Sequence, residues 1–226
     1  MRIGTITEVW RYPVKSLPGE RLRQRVAVGP DGIEGDRRRA VVDEATGKVL
    51  SAKTVPELLS ASTGWDAASL STYLGRTVRL AAPVAGEASV FDMDVDPEDA
   101  TEVVELRTQP GSFFDSRSTL HLLTTASLGT NDVRRFRPNL VVDCGGDFPE
   151  DAWVGGRLRT GDGVEANVRK RTGRCVLITR PQPGLLKDVA LYRNLVRERS
   201  GDLGVYLDAH ATGTVAPGDP VELVDA

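Results

Sequence analysis

The stretch IGTITEVWRYPVKS, residues 3–16, opens the chain with a pattern that recurs along its length. Apolar and polar side chains alternate from Ile3 to Arg11, which is typical of a β-strand with one buried face, and the alternation stops at Tyr12-Pro13. Residues 22–28 alternate again and end at the turn signal Gly29-Pro30-Asp31-Gly32. We therefore expect the fold to be built from short strands joined by tight turns.

The same pattern predicts further strands and three helices. The strands cover residues 39–42 and 49–52, which flank a hairpin turn at 44–47, and residues 77–81, 120–123, 140–142, 164–168, 176–179, 204–207 and 221–224. The helices cover 66–74, with Asp66 as N-cap and Gly75 as stop, about 125–136, capped by Thr124 or Thr125, and 189–199. Residues 83–101 are acidic and interrupted by proline, and we expect a loop between two halves of the chain.

Many short strands with few helices favour an α+β fold that is mostly β and contains an antiparallel barrel. The sequence has no glycine-rich βαβ fingerprint and no P-loop, so a nucleotide-binding fold is not indicated.

Composition excludes several classes of protein. The chain has 226 residues, a net charge of -3 and 40% hydrophobic residues, as expected of a soluble globular protein. No apolar run reaches the ~20 residues of a membrane span, and the N-terminus lacks the apolar core of a signal peptide, so we expect a cytoplasmic location. The two histidines have no partners at zinc spacing, and no basic block supports nucleic-acid binding. Two cysteines, Cys144 and Cys175, do not make a disulfide framework, and we do not expect them to pair.

Three cationic stretches are candidates for anion binding. In YPVKS, residues 12–16, Lys15 supplies charge and Ser16 a directed donor, although this stretch taken alone favours a solvated turn. In GIEGDRRRA, residues 32–40, two glycines allow close approach and one of the three arginines can face a ligand; an exposed edge strand is the alternative. In RRFRPNLVV, residues 134–142, Pro138 keeps Arg137 out of helical geometry, between a helix end and a buried strand.

Cys175 lies in KRTGRCVLIT, residues 170–179, directly before a predicted buried strand. A free cysteine in such a place is commonly a small core residue. Positive charge nearby favours the thiolate, which attacks electrophiles and binds soft metals. Four cationic residues precede it closely, namely Arg169, Lys170, Arg171 and Arg174. The stretch alone leaves both interpretations open.

The motifs YPVKS, GDR, FRPN, RC before an apolar run, and PGDPVEL occur in one order. This ordered set resembles the MOSC-domain proteins with an N-terminal MOSC β-barrel domain, a branch that includes the mitochondrial amidoxime-reducing component and bacterial relatives. The resemblance extends from the first strand to Val224. It implies an antiparallel β-barrel MOSC core at 111–226 and an N-terminal β-rich domain at 1–110, with one shared cofactor site.

A molybdenum cofactor, molybdenum bound to a molybdopterin, is what this resemblance implies. Cys175 matches the thiolate that coordinates molybdenum in the family, and is the implied metal ligand and catalytic residue. Gly173 departs from the family, since relatives often carry a polar residue there. The implied cofactor-binding residues are Lys15, Ser16, Arg37, Arg137 and Asn139, and the start of the predicted helix adds the hydroxyls of Thr125 and Ser127.

The activity implied by the resemblance is reduction of N-hydroxylated compounds, such as amidoximes, hydroxylamines and N-hydroxylated bases. Some bacterial relatives carry a [2Fe–2S] domain with four cysteines, whereas this chain has two. We therefore expect no iron–sulfur cluster here and a separate electron donor, ferredoxin-like or cytochrome-b5-like. Two alternatives stay open: a cofactor carrier or sulfur-handling protein with a persulfide on Cys175, and a barrel without cofactor in which Cys175 is a core residue.

Overall fold

The structure is a computed structural model that describes residues 1–96, 98–99 and 101–224. The strands in chain order are β1 (Arg2–Arg11), β2 (Glu20–Leu22), β3 (Val26–Gly29), β4 (Gly32–Ile33), β5 (Ala40–Asp43), β6 (Val78–Ala81), β7 (Val90–Asp94), β8 (Val103–Arg107), β9 (Leu120–Thr124), β10 (Leu140–Asp143), β11 (Arg157–Thr160), β12 (Val164–Gly173), β13 (Asp202–Ala211), β14 (Gly213–Val215) and β15 (Pro220–Val224). The α-helices are α1 (Ala67–Leu74), α2 (Thr125–Leu128) and α3 (Val189–Arg199). Short 3₁₀ helices lie at Pro56–Ser60, Val133–Arg135, Pro149–Trp153 and Val176–Thr179.

Seven strands close into a barrel in the order β10, β9, β13, β12, β11, β15 and β1. Strand β1 pairs with both β15 and β10 and so closes the ring, while β2 extends the sheet beyond β1. The pairs within the barrel are antiparallel except β9 with β10, which run parallel. Apolar side chains such as Ile6, Leu122 and Val168 form its core. The mostly β class and the barrel predicted from the sequence are confirmed.

The first strand of the chain thus belongs to the same barrel as the strands that follow residue 111. A division at residue 110 remains a prediction. Between β2 and β9 the chain forms two small two-stranded sheets, β5 with β6 and β7 with β8, and β3 with β4 form a further sheet together with β14. One apolar cluster, which includes Val41, Leu58 and Leu70, packs against α1 and β6.

The predicted ends of α1 are confirmed, because the Asp66 side chain accepts from the Ser69 amide and Gly75 takes a left-handed conformation with φ of 64°. Helix α3 spans the predicted 189–199. None of the helices in the described ranges is long and apolar enough to cross a bilayer.

Four local predictions are wrong. The predicted loop at 83–101 contains β7, because the apolar residues on one face of this strand include the buried Phe91; Pro97 and Ala100 of that loop lie outside the described residues. The helix predicted at about 125–136 ends at Leu128, where Gly129 has positive φ. Residues 176–179 form a 3₁₀ helix instead of a strand. Residues 22–28 are divided between β2 and β3.

Two smaller differences concern β5. Of the arginines at 37–39, which the sequence predicts to alternate across a strand, Arg37 belongs to the turn before β5, whereas Arg39 forms an isolated bridge with Val14. The predicted partner strand at 49–52 is reduced to an isolated bridge between Val49 and Val42, while β5 pairs along its length with β6.

Candidate functional site

A cavity of about 130 Å³ lies where the N-terminal motifs meet the Cys175 segment, and we call it the central cavity. Six of the eight predicted site residues line it, namely Lys15, Ser16, Arg37, Arg137, Asn139 and Cys175. Its wall carries five cationic side chains, from Lys15, Arg37, Lys53, Arg137 and Arg174, and one carboxylate, from Asp115. Such a wall favours an anionic ligand.

The buried carboxylate of Asp36 joins three motifs that are far apart in the sequence. Its Oδ1 accepts from the Tyr12 backbone N–H at 2.6 Å, and its Oδ2 accepts from Asn139 Nδ2 at 3.0 Å. The same Oδ2 accepts from Arg37 Nη1. One side chain with no exposed surface therefore fixes the YPVKS, GDR and FRPN segments relative to one another.

Two guanidinium groups lie against the ring of the fully buried Tyr12. The guanidinium carbons of Arg37 and Arg137 are 4.9 Å and 4.2 Å from its centroid, within cation–π range. Burial lowers the pKa of Arg137 to about 10, whereas the carboxylate of Asp36 outweighs burial and raises the pKa of Arg37. Arg137 Nη1 also donates to the Leu17 carbonyl at 2.7 Å, so both cations are held in place before any ligand binds.

Three residues of this wall have left-handed backbone, which costs a non-glycine residue of the order of 1 kcal/mol. The φ values are 68° at Ser16, 48° at Arg37 and 55° at Arg137. Pro138 was expected to keep Arg137 out of helical geometry, and this is confirmed, although the residue becomes left-handed instead of extended. Strained backbone persists only where surrounding contacts hold it in place, and residues of this kind are concentrated at active and ligand-binding sites.

A second cationic group is formed by two buried lysines. Lys53 Nζ donates to Asp115 Oδ2 at 2.7 Å, and Lys15 Nζ donates to Oδ1 of the same carboxylate. Both ammonium groups lie 4.5 Å from the centroid of the Phe91 ring. Burial lowers the pKa of Lys15, and the two lysines, acting against burial, hold the pKa of Asp115 below its usual range.

Cys175 is a free, half-buried cysteine that lines the central cavity. It precedes the 3₁₀ helix at 176–179 and has an extended backbone. Of the four cations just upstream, Arg174 lines the cavity as well, whereas Arg171 is exposed and pairs with Asp202 at 3.3 Å. The cations that interact with the Cys175 sulfur are its neighbour Arg174 and Lys53, which is distant in the sequence.

Two buried donors on the cavity wall have no hydrogen-bond partner among the described residues. They are Ser118 Oγ and Arg174 Nε. A buried donor without a partner is costly, so each calls for an acceptor. Together with the cationic wall and the sulfur of Cys175, these donors fit a ligand that combines anionic oxygens with a soft metal.

Thr125 and Ser127 do not lie in the central cavity. Thr125 Oγ1 donates to Asp143 Oδ1 at 2.9 Å, and Ser127 Oγ donates to the buried Glu150 Oε2 at 2.7 Å. The true N-cap of α2 is Thr124, whose hydroxyl accepts from the Ser127 amide. The hydroxyls of Thr125 and Ser127 were expected to face a ligand, but both donate to carboxylates of the protein instead.

Sequence reasoning missed several residues of the cavity wall. Lys53 follows directly on a predicted strand, and a lysine in such a place is ordinarily solvated. His121 lies within the apolar run Leu120–Thr124, where nothing marks it as more than a core residue. Asp115, Ser118 and Tyr206 also line the cavity, and no motif pointed to them.

Comparisons with known proteins agree with this geometry. The family model for the MOSC N-terminal beta barrel domain matches residues 3–118, and the model for the MOSC domain matches residues 114–222. The resemblance inferred from the order of the motifs is thereby confirmed. The human protein mitochondrial amidoxime-reducing component 1 is 24% identical over 286 residues, which cover 99% of this chain and 84% of that protein.

The chain was also compared with solved structures, all at low sequence identity. The YUAD protein from Bacillus subtilis has a TM-score of 0.50 at 12% identity and covers 99% of this chain and 96% of its own. YiiM from Geobacillus stearothermophilus has a TM-score of 0.39 at 14% identity, with 62% and 72% covered. The first likeness supports the fold alone, and the second is too weak to support an argument.

Proposed function

We propose a function for this chain as a member of the MOSC-domain family, to which it belongs through a MOSC N-terminal β-barrel domain and a MOSC domain. The proposal is a molybdenum-cofactor-dependent oxidoreductase that reduces N-hydroxylated compounds such as amidoximes, hydroxylamines and N-hydroxylated bases. The observation that supports it best is that Cys175 lines one cavity with five cationic side chains drawn from distant parts of the chain.

The residues of the central cavity would divide the work of binding. Cys175 would supply the sulfur ligand to molybdenum, since thiolates suit soft metals. The cationic donors from Lys15, Lys53, Arg37 and Arg137 would hold the anionic groups of the pterin, with Ser16 beside them. When bound, the molybdenum cofactor supplies the two-electron chemistry that removes oxygen from an N–O bond.

The chain's own contribution is preorganisation. Asp36 and Tyr12 hold Arg37 in place, and Tyr12 and the Leu17 carbonyl hold Arg137, so these cations do not have to be ordered when the ligand binds. Asn139 would support the site by holding its neighbours and not by donating to the ligand, because its Nδ2 group donates to the Trp10 carbonyl and to Asp36.

Electrons would come from a separate ferredoxin-like or cytochrome-b5-like protein. The human relative is named for amidoxime reduction, and its likeness to this chain favours the same substrate class. The cytoplasmic location remains a prediction.

The test uses protein purified from a host that makes the molybdenum cofactor. We expect about one molybdenum and one pterin per chain, and reduction of benzamidoxime with reduced methyl viologen as donor. Cys175→Ser should lose most of the metal and the turnover. Cys144→Ser is the matched control, because this second free cysteine is not among the residues lining the central cavity, and it should keep both.

The two alternatives give different results in the same experiment. Metal and pterin that copurify without turnover, together with a persulfide on Cys175 in the intact-protein mass, would favour the carrier or sulfur-handling function. A protein from the competent host with neither metal nor pterin would favour a barrel whose Cys175 is structural, and would contradict the proposal.

A further inference from the structure

We propose that His121 is a positioning residue that orients Arg174, the cation next to Cys175, so that the remaining N–H groups of its guanidinium, Nε–H among them, can donate to an anionic oxygen of the ligand. This inference deepens the proposed function and rests on it for the nature of that ligand. The observation behind it is a buried imidazole placed against the guanidinium of Arg174, which forms no ion pair with a carboxylate in the described part of the chain.

The guanidinium of Arg174 is held at two of its three nitrogens. Nη2 donates to the Phe136 carbonyl at 2.5 Å, and Nη1 lies 3.3 Å from His121 Nε2. Since a guanidinium only donates, Nε2 has to accept, and His121 is then a neutral imidazole with its proton on Nδ1. Each terminal nitrogen keeps a second N–H beyond these contacts, and Nε is buried without a partner among the described residues.

The backbone of His121 is held by Asn139, and Gly204 leaves the space for its imidazole. The His121 backbone N–H donates to Asn139 Oδ1 at 3.1 Å, and the Asn139 backbone N–H donates to the His121 carbonyl at 2.7 Å. Gly204 has φ of +80°, and a Cβ there would come within 2.5 Å of His121 Nε2. Only a residue without a side chain leaves room for the ring at this point, so the histidine and the glycine on the neighbouring strand β13 form one arrangement.

A neutral acceptor has a physical advantage over a carboxylate at this place. Asp36 pairs with Arg37 and compensates its charge within the protein. His121 accepts one hydrogen bond from Arg174 without compensating its charge, so the guanidinium keeps its full attraction for an anion. Burial, together with the charge of Arg174, lowers the pKa of His121 well below its usual range, in agreement with a neutral ring.

The experiment measures sulfate binding by titration calorimetry, at neutral pH and low ionic strength, on full-length protein from a host that cannot make the cofactor. His121→Leu fills similar space without an acceptor and should weaken sulfate binding roughly fivefold or more. His121→Gln places its amide oxygen at about the distance of Nε2 and should stay within about twofold of the wild type. His121→Asn has an acceptor that is too short and should behave like the leucine variant, and it takes over the comparison if that variant does not fold.

The same pair of substitutions is then made in an Arg174→Lys background. If His121 acts through Arg174, the difference between leucine and glutamine disappears there, as a double-mutant cycle requires. Equal sulfate affinity in wild type and His121→Leu, or a difference that persists without Arg174, would overturn the proposal.

In the cofactor-competent host, His121→Leu should copurify with less molybdenum and pterin than His121→Gln, and equal contents would overturn the proposal. The failure of the proposed function would look different. If the wild type contains neither metal nor pterin, that function fails, while the sulfate series still decides whether His121 orients Arg174 toward an anion.

Discussion

Asp36 and Glu150 are both buried carboxylates that join segments distant in the chain, yet they lie in opposite settings. Asp36 accepts from Tyr12, Asn139 and a guanidinium, and the residues it holds line the central cavity. Oε2 of Glu150 accepts from two hydroxyls, those of Thr124 and Ser127, while its Oε1 has no partner among the described residues. No residue of this second cluster lines the central cavity.

The two carboxylates differ in whether the groups around them still present positive charge or hydrogen-bond donors to a ligand. At Asp36 one carboxylate accepts from three donors, and Arg37 and the neighbouring Arg137, which forms no ion pair with a carboxylate in the described residues, line the central cavity. At Glu150 the hydroxyls of Thr124 and Ser127 both donate to the carboxylate, so neither hydroxyl proton is available to a ligand. A polar cluster therefore indicates a binding site when it presents unsatisfied donors to a cavity, and indicates a structural role when its donors are used internally.

The largest expected effect separates the two carboxylates by stability. Asp36→Asn leaves a buried guanidinium without its counter-ion, and breaking such a pair costs about 3 kcal/mol or more of the free energy of unfolding. Glu150→Gln keeps the hydroxyl contacts and removes a buried charge that forms no ion pair with the described residues, so we expect a change within about 1 kcal/mol. Urea unfolding measures both. Equal losses would contradict the distinction.

A second prediction concerns the cost of the buried cations. Burial lowers the pKa of Arg137 to about 10, so its charge is less well stabilised than in water although the group stays charged at neutral pH, and a bound anion compensates that charge. Sulfate at roughly a hundredfold excess over its Kd should stabilise the cofactor-free protein by about 2.7 kcal/mol. Arg137→Gln should lose much of this stabilisation in thermal unfolding. The same gain in the variant would show that sulfate binds elsewhere.

A smaller effect tests the strained backbone. Ser16→Gly and Ser200→Gly both relieve a left-handed φ, of 68° and 55°, and each should stabilise the fold by about 0.5–1 kcal/mol. Ser200 is the C-cap of α3, so Ser200→Gly should leave the molybdenum content per chain unchanged. Ser16 lines the central cavity, so Ser16→Gly should lower that content. If Ser16→Gly stabilises the protein and retains all its metal, the Ser16 hydroxyl has no part in binding.

The smallest effects are expected at α2. Thr125→Ala removes a partly exposed contact with Asp143 and should change stability by less than about 0.5 kcal/mol, and Ser127→Ala by about 1 kcal/mol because its hydroxyl is buried. Neither variant should alter molybdenum content per chain. Loss of molybdenum in either variant would show that the hydroxyl removed takes part in binding the cofactor.

Much of the site was predictable because each of its motifs places a cationic residue next to a turn of the chain. Lys15, Arg37 and Arg137 are of this kind, and the physical reason for their convergence is visible in the sequence as proline or glycine beside charge. His121 was not predictable, since its role depends on Gly204 and Arg174, which reach it only in the folded barrel. Local rules also failed where tertiary pairing decides: β7 forms because β8 is available as its partner, and the segment after Cys175 turns into a 3₁₀ helix.

The central claim is that Cys175 binds a metal in a cavity of cations, and anomalous diffraction at the molybdenum edge tests it most directly. Crystals of protein from a cofactor-competent host should show one anomalous peak per chain, at bonding distance from Cys175 Sγ and surrounded by Lys15, Arg37 and Arg137. A peak elsewhere on the chain, or a cavity without one in protein shown to contain molybdenum, would contradict the account.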